Sequence, residues 1–393
     1  MKDHEPVIVG ALRTPVGKRG GRLQKWHPVD LLGETLRQLV EHSGINPADL
    51  DDVIVGCVLQ WDQQHGNLGR HAVLAAGLPE SVPAVTVDRQ CGSGQQAVSF
   101  AVHGIQAGAY QLVIGAGVES MSQAPMPPSF KPGAPLGAQY SPSELARYQD
   151  NPLIPQGASS ELMNKRFGLT REALDAFAVR SHRRATEASQ AGRVKDQLVR
   201  LTEDPADPDS PIVAADEGVR ADPNPEKMAT LKAVFAADGA TTAANSSQIS
   251  DGAAALLIAS RAYAKQHGLK PRARFVSTAV AAADPVIQFT AVLDATRKAL
   301  KESGLTLDDI DLFEVNEAFG GVPLMFQQEF GILDDRLNVN GGSIAIGHPL
   351  GSTGARMLTD LLCELERRGG RYGLQTICEA SGTANATIIE RLG

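Results

Sequence analysis

The chain has 393 residues, enough at ~150 per domain for two or three domains and a sizeable core. Apolar residues make up 42% and charged residues 21%, and the 39 glycines and 23 prolines signal many tight turns rather than disorder. A net charge of −8 with only 5% aromatic residues argues against a general nucleic-acid or anionic-membrane surface and leaves room for a local basic patch.

The N-terminal apolar stretch is broken by Arg13 after six residues, too short for a signal core. The longest apolar run elsewhere, Gly252 to Ala259, is far below the ~18 residues of a membrane span. Cys57, Cys91, Cys363 and Cys378 form no C-x-x-C pair and no disulfide framework, so a cytoplasmic, reducing location is expected. Leu31 to His42 puts Leu32, Leu36, Leu39 and Val40 at helical spacing and stops at Ser43-Gly44. Val53-Ile54-Val55-Gly56 then reads as a strand buried on both faces. A second extended stretch, Val85-Thr86-Val87, runs through Cys91-Gly92-Ser93-Gly94 into a helix marked by Val98, Ala101, Val102 and Ile105.

Residues 121–250 hold 13 of the 23 prolines in about a third of the chain and read as an inserted loop-rich subdomain. One helix is clear there, capped by Thr170 and striped by Leu174, Phe177, Ala178, Ala185 and Ala188. Arg180, Arg183 and Arg184 beside that stripe are either a solvated basic face or a phosphate contact. Val292 to Leu300 and Ile310 to Phe313 then repeat the opening helix and strand. Ser43-Gly44 with Asp49-Leu50-Asp51 recurs as Ser303-Gly304 with Asp309-Ile310-Asp311, an offset of 260. That offset also carries Cys91–Gly94 onto Gly351–Gly354, and with a shift of two Ala109–Leu112 falls on Arg371–Leu374. Two duplicated halves of alternating helices and buried strands predict an α/β fold with mixed or parallel sheets.

Several chemistries lack their motifs. Gly342 to Gly347 has the spacing of a phosphate loop, but His348 follows where lysine is needed. There is no G-x-S-x-G elbow, no zinc-type cluster and no dinucleotide fingerprint. What stands out is Cys91 at a helix N-terminus, where N–H groups and the helix dipole favour a thiolate. It is either a nucleophile or a small core residue. His348, between glycine and proline, is presented at a loop, where imidazole can act as a base. If the halves pack about a pseudo-twofold axis, its turn faces that of Cys91. Asn316 and Glu317 follow a buried strand, as site residues or as caps, and Cys378 ends another strand before small residues. Cys57 and Cys363 read as core.

These segments resemble the thiolases, CoA-dependent acyltransferases that cleave or form 3-ketoacyl-CoA. The likeness covers the whole chain: Arg13–Gly17, the Cys91 segment, Asn245–Gly252, Asn316-Glu317-Ala318-Phe319, Gly347–Gly351 and Cys378. The Cys91 and Asn245 segments are most similar to thiolases of actinobacterial lipid and steroid breakdown. The resemblance implies a five-layered αβαβα fold of two similar halves, 1–120 with 251–270 and 271–393, plus an inserted loop domain, 121–250. It also implies a homodimer or homotetramer. By position, Cys91 is the acylated nucleophile, His348 takes its proton, Asn316 positions a water at an oxyanion hole, and Cys378 exchanges the α-proton. Ser247 matches the pantetheine contact, Arg220 the adenine end, and Leu231 and Phe235 the pocket. Acyl-CoA and CoA are the implied substrates, with no permanently bound cofactor, no metal, and no nucleic-acid or membrane partner.

The chain departs from the family at Cys378-Glu379-Ala380-Ser381-Gly382, where C-x-G-G-G is usual. Ala380 keeps the N–H needed for an oxyanion hole and is strained only if its φ is positive. Gln156 and Gln288 replace pocket methionines of short-chain members, and Phe289–Asp294 replaces a glycine- and proline-rich stretch, so a rebuilt acyl pocket is expected. The competing expectation, a non-catalytic thiolase-like lipid or CoA carrier or partner subunit, sits poorly with retention of Cys91, His348 and Cys378.

Overall fold

The computed structural model describes residues 2–126 and 140–393. The chain opens with β1 (Pro6–Arg13), β2 (Gly17–Lys18), α1 (Pro28–Ser43), β3 (Asp52–Gly56), α2 (Leu68–Ala75), β4 (Ala84–Val87), α3 (Ser93–Gln106) and β5 (Leu112–Ser120). The proline-rich stretch supplies α4 (Pro142–Arg147), α5 (Gln156–Phe167), α6 (Arg171–Gln190), β6 (Leu201–Thr202), β7 (Ile212–Val213) and α7 (Pro225–Ala229). β8 (Ser250–Ser260) and α8 (Arg261–Gln266) follow. The second half holds β9 (Ala273–Ala282), α9 (Ala291–Ser303), β10 (Leu312–Val315), α10 (Gly321–Phe330), α11 (Leu350–Arg368), β11 (Tyr372–Glu379) and β12 (Thr383–Arg391).

The main sheet runs β10-β11-β12-β9-β1-β8-β5-β3-β4, with β2 beside β8. Its two halves meet where β1 and β9 pair antiparallel, Val7 opposite Arg274. Within each half the helix-linked strands are parallel, β3 with β4 and β5 in one and β10 with β11 in the other. β8 shows why these strands read as unbroken apolar runs. Ala253, Ala255, Leu257 and Ala259 face one core, while Ala254, Leu256 and Ile258 face another. The first core lies under α1 and α2, the second around α3 and α11, and a third under α9 and α10. The layers are therefore helix, half-sheet, helix, half-sheet, helix, the αβαβα order expected.

The recurring Ser-Gly has a physical cause: α1 ends on Gly44 at φ 65° and α9 on Gly304 at φ 71°, left-handed caps that glycine adopts without strain. The shift of two inferred near Tyr110 is wrong. Asp51 Oδ2 accepts from the N–H of Leu112 (3.0 Å) and Asp311 Oδ2 from that of Tyr372 (2.8 Å), so the offset stays at 260. Tyr110 and Tyr372 are alike in type but not equivalent: Leu112 is the counterpart of Tyr372. At the centre, α3 and α11 cross at Gly94 and Gly354, themselves 260 apart. A Cβ on Gly354 would stand 2.2 Å from the Gln95 nitrogen, and one on Gly94 2.5 Å from the Gly351 oxygen.

The basic side of α6 is neither of the two things expected. Arg180 pairs with Asp334 and with Gln327 (3.0 Å), and Arg184 donates to the carbonyls of Leu337 (2.7 Å) and Asp334 (2.6 Å). Both arginines fasten the inserted helix to the second half, and Arg183 alone is exposed.

Candidate active site

Cys91 sits on the turn between β4 and α3. Gln90 takes a left-handed φ of 48°, Gly92 caps α3, and Ser93 Oγ accepts from the Arg89 N–H at 2.8 Å. The thiol packs against Leu350, Met357 and Ile377, all contributed by the second half. The helix N-terminus was expected to lower its pKa. Instead burial, then the nearby Glu379 carboxyl, push the thiol up to about 12, outweighing the backbone N–H groups that favour the thiolate. The nucleophile candidate rests protonated and needs a base.

His348 is presented by the loop before α11, one residue after Gly347 at φ 119°, where a Cβ would overlap Ser250 Oγ at 2.4 Å. The loop is anchored through the His348 N–H to the Gln248 carbonyl at 3.1 Å. Gln248 also donates to the carbonyls of Gly218 (3.1 Å) and Ile344 (2.8 Å), which explains its place in the Asn245–Gly252 segment. The buried imidazole has two neighbours: Nδ1 lies 2.7 Å from Thr353 Oγ1 and Nε2 lies 3.3 Å from Asn316 Nδ2. Thr353 Oγ1 donates to the Pro349 carbonyl at 2.8 Å and so accepts from Nδ1–H, which leaves Nε2 unprotonated, accepting from Asn316 Nδ2–H. Burial, then the charge of Arg356, lower the imidazole to about 3, so it is neutral at physiological pH.

Cys378 ends β11, fully enclosed, its thiol pushed well up by burial and then by Cys91, which lies close enough to act on its charge. Ala380 is not among the residues of positive φ; that conformation falls on Ser381 at φ 61°. Its N–H donates to Gln288 Oε1 at 3.1 Å, and Gln288, itself at φ 57°, donates to the Ile154 carbonyl (3.0 Å) and Ser159 Oγ (2.9 Å). Gln288 therefore braces the altered turn. Gln156 opens α5. Glu317 is not a helix cap: it accepts from Ser181 (2.7 Å), Asn338 (2.9 Å) and the Ile344 N–H (3.1 Å), fixing the loop that leads to His348.

Arg220 and Leu231 line one cavity of about 370 Å³ with His182, Lys227 and Gln248. Ser247 adjoins it, its N–H on the Ala318 carbonyl at 3.0 Å. Phe235 meets Phe319 edge-on at 5.9 Å, and Phe319 meets Phe289 at 5.5 Å, an aromatic row whose central ring belongs to the Asn316–Phe319 segment. Sequence reading missed Lys227, Thr353, Ser343 and Glu379. Lys227 had a signal, a cation within the stretch already assigned to CoA. Glu379 had none, because its neighbour Gly92 is 287 residues away in the chain.

The chain matches the family model for the thiolase N-terminal domain over residues 6–262 and that for the thiolase C-terminal domain over 269–391. The chain belongs to the thiolase family. Among curated relatives, this thiolase is 46% identical to the steroid 3-ketoacyl-CoA thiolase FadA6 of Mycobacterium tuberculosis, covering 99% of this chain and 94% of that one. It is 39% identical to the 3-ketoacyl-CoA thiolase of Bacillus subtilis, covering 98% and 99%. The crystal structure of the Bacillus anthracis acetyl-CoA acetyltransferase superposes with a TM-score of 0.89 at 36% identity over the whole of both chains. The thiolase fold is thus shown, and with it an acyltransferase rather than a carrier.

Glu379 is the thiolase's most unusual neighbour of Cys91. Its carboxyl lies on the Cα of Gly92, so that a Cβ there would stand 1.9 Å from Oε1. Thr383 donates to Oε2 at 2.6 Å and Oε1 has no partner. Burial raises this carboxyl to about 8. A folded pKa above the unfolded one means the stabilisation is complete below the ordinary carboxylate range and is lost as pH rises through about 8. Glu379→Gln removes that titration. The melting temperature of the wild type should fall more steeply than the variant's between pH ~5 and ~8; equal slopes would contradict a neutral Glu379.

Proposed function

We propose that this thiolase cleaves a 3-ketoacyl-CoA with CoA, and forms one in reverse, through an acyl group carried on Cys91. His348 Nε2 takes the Cys91 proton, and the thiolate attacks the 3-keto carbon. The C2–C3 bond breaks, leaving the acyl group on Cys91 and an acetyl-CoA enolate, which Cys378 protonates. CoA then gives its thiol proton to the Cys378 thiolate and displaces Cys91 from the acyl group, and His348 returns its proton to the departing Cys91 thiolate. Asn316 Nδ2 is the fixed donor beside Nε2 and holds a water at the oxyanion. The observation that carries this assignment is the neutral His348, its Nε2 unprotonated, on the loop before α11, the helix whose Leu350 and Met357 pack against a protonated Cys91. CoA is a substrate here rather than a resident cofactor. Arg220 and Lys227 supply the cations its phosphates need and Leu231 lines the same cavity, whereas Ser247 and Phe235, outside that lining, are assigned to the pantetheine arm and its pocket by the family resemblance alone.

The substrate class we favour is a 3-ketoacyl-CoA from lipid or steroid breakdown. It is supported by the name of the Mycobacterium tuberculosis relative and by the pocket wall rebuilt around Gln288 and Phe289. The working unit is a homodimer, which can pair again into a tetramer. Among the described residues β4 is paired on one side only, by β3, and exposes Val85, while Leu74 and Phe100 on the adjoining helices are also exposed. Four free cysteines fit a reducing cytoplasm. We also propose the division into 1–120 with 251–270, an inserted 121–250, and 271–393; the strand order, with β1, β3, β4, β5 and β8 on one side and β9 to β12 on the other, supports it.

The test is CoA-dependent cleavage of 3-ketoacyl-CoAs from acetoacetyl-CoA to long and branched chains. Wild type should turn over, with activity rising beyond the four-carbon substrate. Cys91→Ala should abolish activity. Cys378→Ala should still take an acyl group on Cys91 while losing about 10²–10⁴-fold in cleavage, the scale of general acid–base catalysis. Full activity in Cys91→Ala, or activity confined to acetoacetyl-CoA, would overturn the mechanism or the substrate class respectively. Sedimentation of the wild type should give a dimer or tetramer, and Val85→Lys should shift it toward the monomer; a wild-type monomer would contradict the assembly.

A further inference from the structure

His348 can serve as a base only if the correct nitrogen is bare, and the hydrogen bonds on both sides of the ring decide that, one side reaching several side chains away. Asn316 presents Nδ2 to the imidazole because its Oδ1 is held by Ser343, whose hydroxyl donates to it at 2.6 Å. Ser343 in turn receives a hydrogen bond from Arg356 Nη2 at 3.3 Å. A guanidinium donates and never accepts, so it occupies a lone pair of the hydroxyl oxygen and directs the hydroxyl hydrogen onto Asn316. At the other end of the chain, the Pro349 carbonyl accepts and never donates. With one terminus restricted to donating and the other to accepting, every bond between them has one direction: Arg356, Ser343, Asn316, His348, Thr353, Pro349. Without Arg356 the amide of Asn316 is free to turn, giving its Nδ2–H₂ to Ser343 and its oxygen to the imidazole. That arrangement favours Nε2–H, the tautomer that cannot take a proton from Cys91.

Arg356 is itself held rigidly. Its Nη1 donates to Asp360 Oδ2 at 2.8 Å, one helical turn along α11. Asp360 Oδ1 accepts from Arg13 Nε (2.8 Å) and Gln197 Nε2 (2.6 Å), and Arg13 forks onto Asp216 at 2.8 and 3.0 Å. Arg13 is fully buried and Arg356 nearly so. Asp216 lies four residues before Arg220 on the loop bordering the CoA cavity.

We propose that Arg356 is a positioning residue of the acyl-transfer reaction, which through Ser343 and Asn316 selects the imidazole nitrogen of His348 that stays free. This rests on the acyl-cysteine mechanism proposed above. The charge of Arg356 acts in the same direction. It is the one charged group bearing on His348, after burial, among those that shift it. Facing Arg356 are Asp360 on its own helix and Glu314 and Glu317 at the end of β10, with Arg13 beyond Asp360. Removing the guanidinium therefore lets the imidazole rise toward its ordinary value, and the acid limb of activity moves to higher pH.

The experiment compares wild type, Ser343→Ala, Arg356→Met and Arg356→Lys. Ser343→Ala leaves the buried ion cluster intact, and in Arg356→Met the Asp360 carboxylate keeps Arg13 and Gln197. Ser343→Ala and Arg356→Met should each lose about 10- to 100-fold in kcat, part of the ~10²–10⁴ a general base supplies, with KM for CoA changed less than about twofold. The acid limb should move up in Arg356→Met and stay in place in Arg356→Lys. Nitrogen NMR of labelled histidine should show the bare nitrogen of His348 at Nε2 in the wild type and a shift toward Nδ1 in Ser343→Ala. Equal loss at every pH in all three variants, or an unchanged tautomer in Ser343→Ala, would overturn the proposal. The NMR arm decides it even if the wild type fails to turn over, an outcome that would instead sink the acyl-cysteine mechanism.

Discussion

Two equivalent glycines, Gly94 and Gly354, let α3 and α11 cross backbone against backbone, and the rest of the site depends on that approach. Any side chain at either position would meet main-chain atoms at about 2 Å, so the helices would separate. The crossing lies near the start of each helix, at the second residue of α3 and the fifth of α11. It therefore brings together the two strand-to-helix turns that precede them, one carrying Cys91 and the other His348. A duplicated half-domain has no use for this alone; each half supplies one partner, and the twofold relation brings both to the same place. The burial of Cys91 by Leu350, Met357 and Ile377 is a direct result.

Burial then sets the chemistry. Both cysteines are driven upward, His348 is driven down to about 3 and Glu379 up to about 8, so near neutral pH the four side chains rest uncharged. A proton passing from Cys91 to His348 creates a thiolate and an imidazolium in a low-dielectric setting. That pair is costly until an electrophilic carbonyl and fixed donors receive the negative charge. The resting enzyme is in this way protected from spontaneous thiol chemistry, and acyl-CoA completes the site. Orientation has to be supplied without charge, which is why a chain of hydrogen bonds of fixed direction surrounds the imidazole. Glu379 belongs to the same arrangement: neutral, it tolerates the thiolate beside Gly92, while ionised it opposes both cysteines.

Much of the fold was legible in the sequence because it is written in local terms. The Ser-Gly pairs are helix caps, and the apolar runs are strands covered on both faces. The common offset exposes the duplication, which in turn places His348 opposite Cys91. What escaped depends on contacts between distant segments. The drop expected for the Cys91 thiol considered the helix end and ignored the second half closing over it. The arginines of α6 were read on a single helix, whereas their partners lie near residue 334. Ser381, rather than Ala380, takes the left-handed turn, because Gln288 from another segment holds its N–H. Ser343 and Arg356 carry no motif value alone, and their meaning lies in the direction of hydrogen bonds that only the assembled site determines.

The most direct measurement is to mix the thiolase with acetyl-CoA in the absence of a second acceptor, quench in acid, digest, and map acetyl groups by mass spectrometry. If the crossing of α3 and α11 builds an acyl-transfer site around the first cysteine, one acetyl group is found on the peptide containing Cys91. The peptides of Cys57, Cys363 and Cys378 are then unmodified, and the label disappears when CoA is added before quenching. Acetyl groups on Cys378 or spread over several cysteines would contradict that geometry, as would a Cys91 that stays free while acetyl-CoA is consumed.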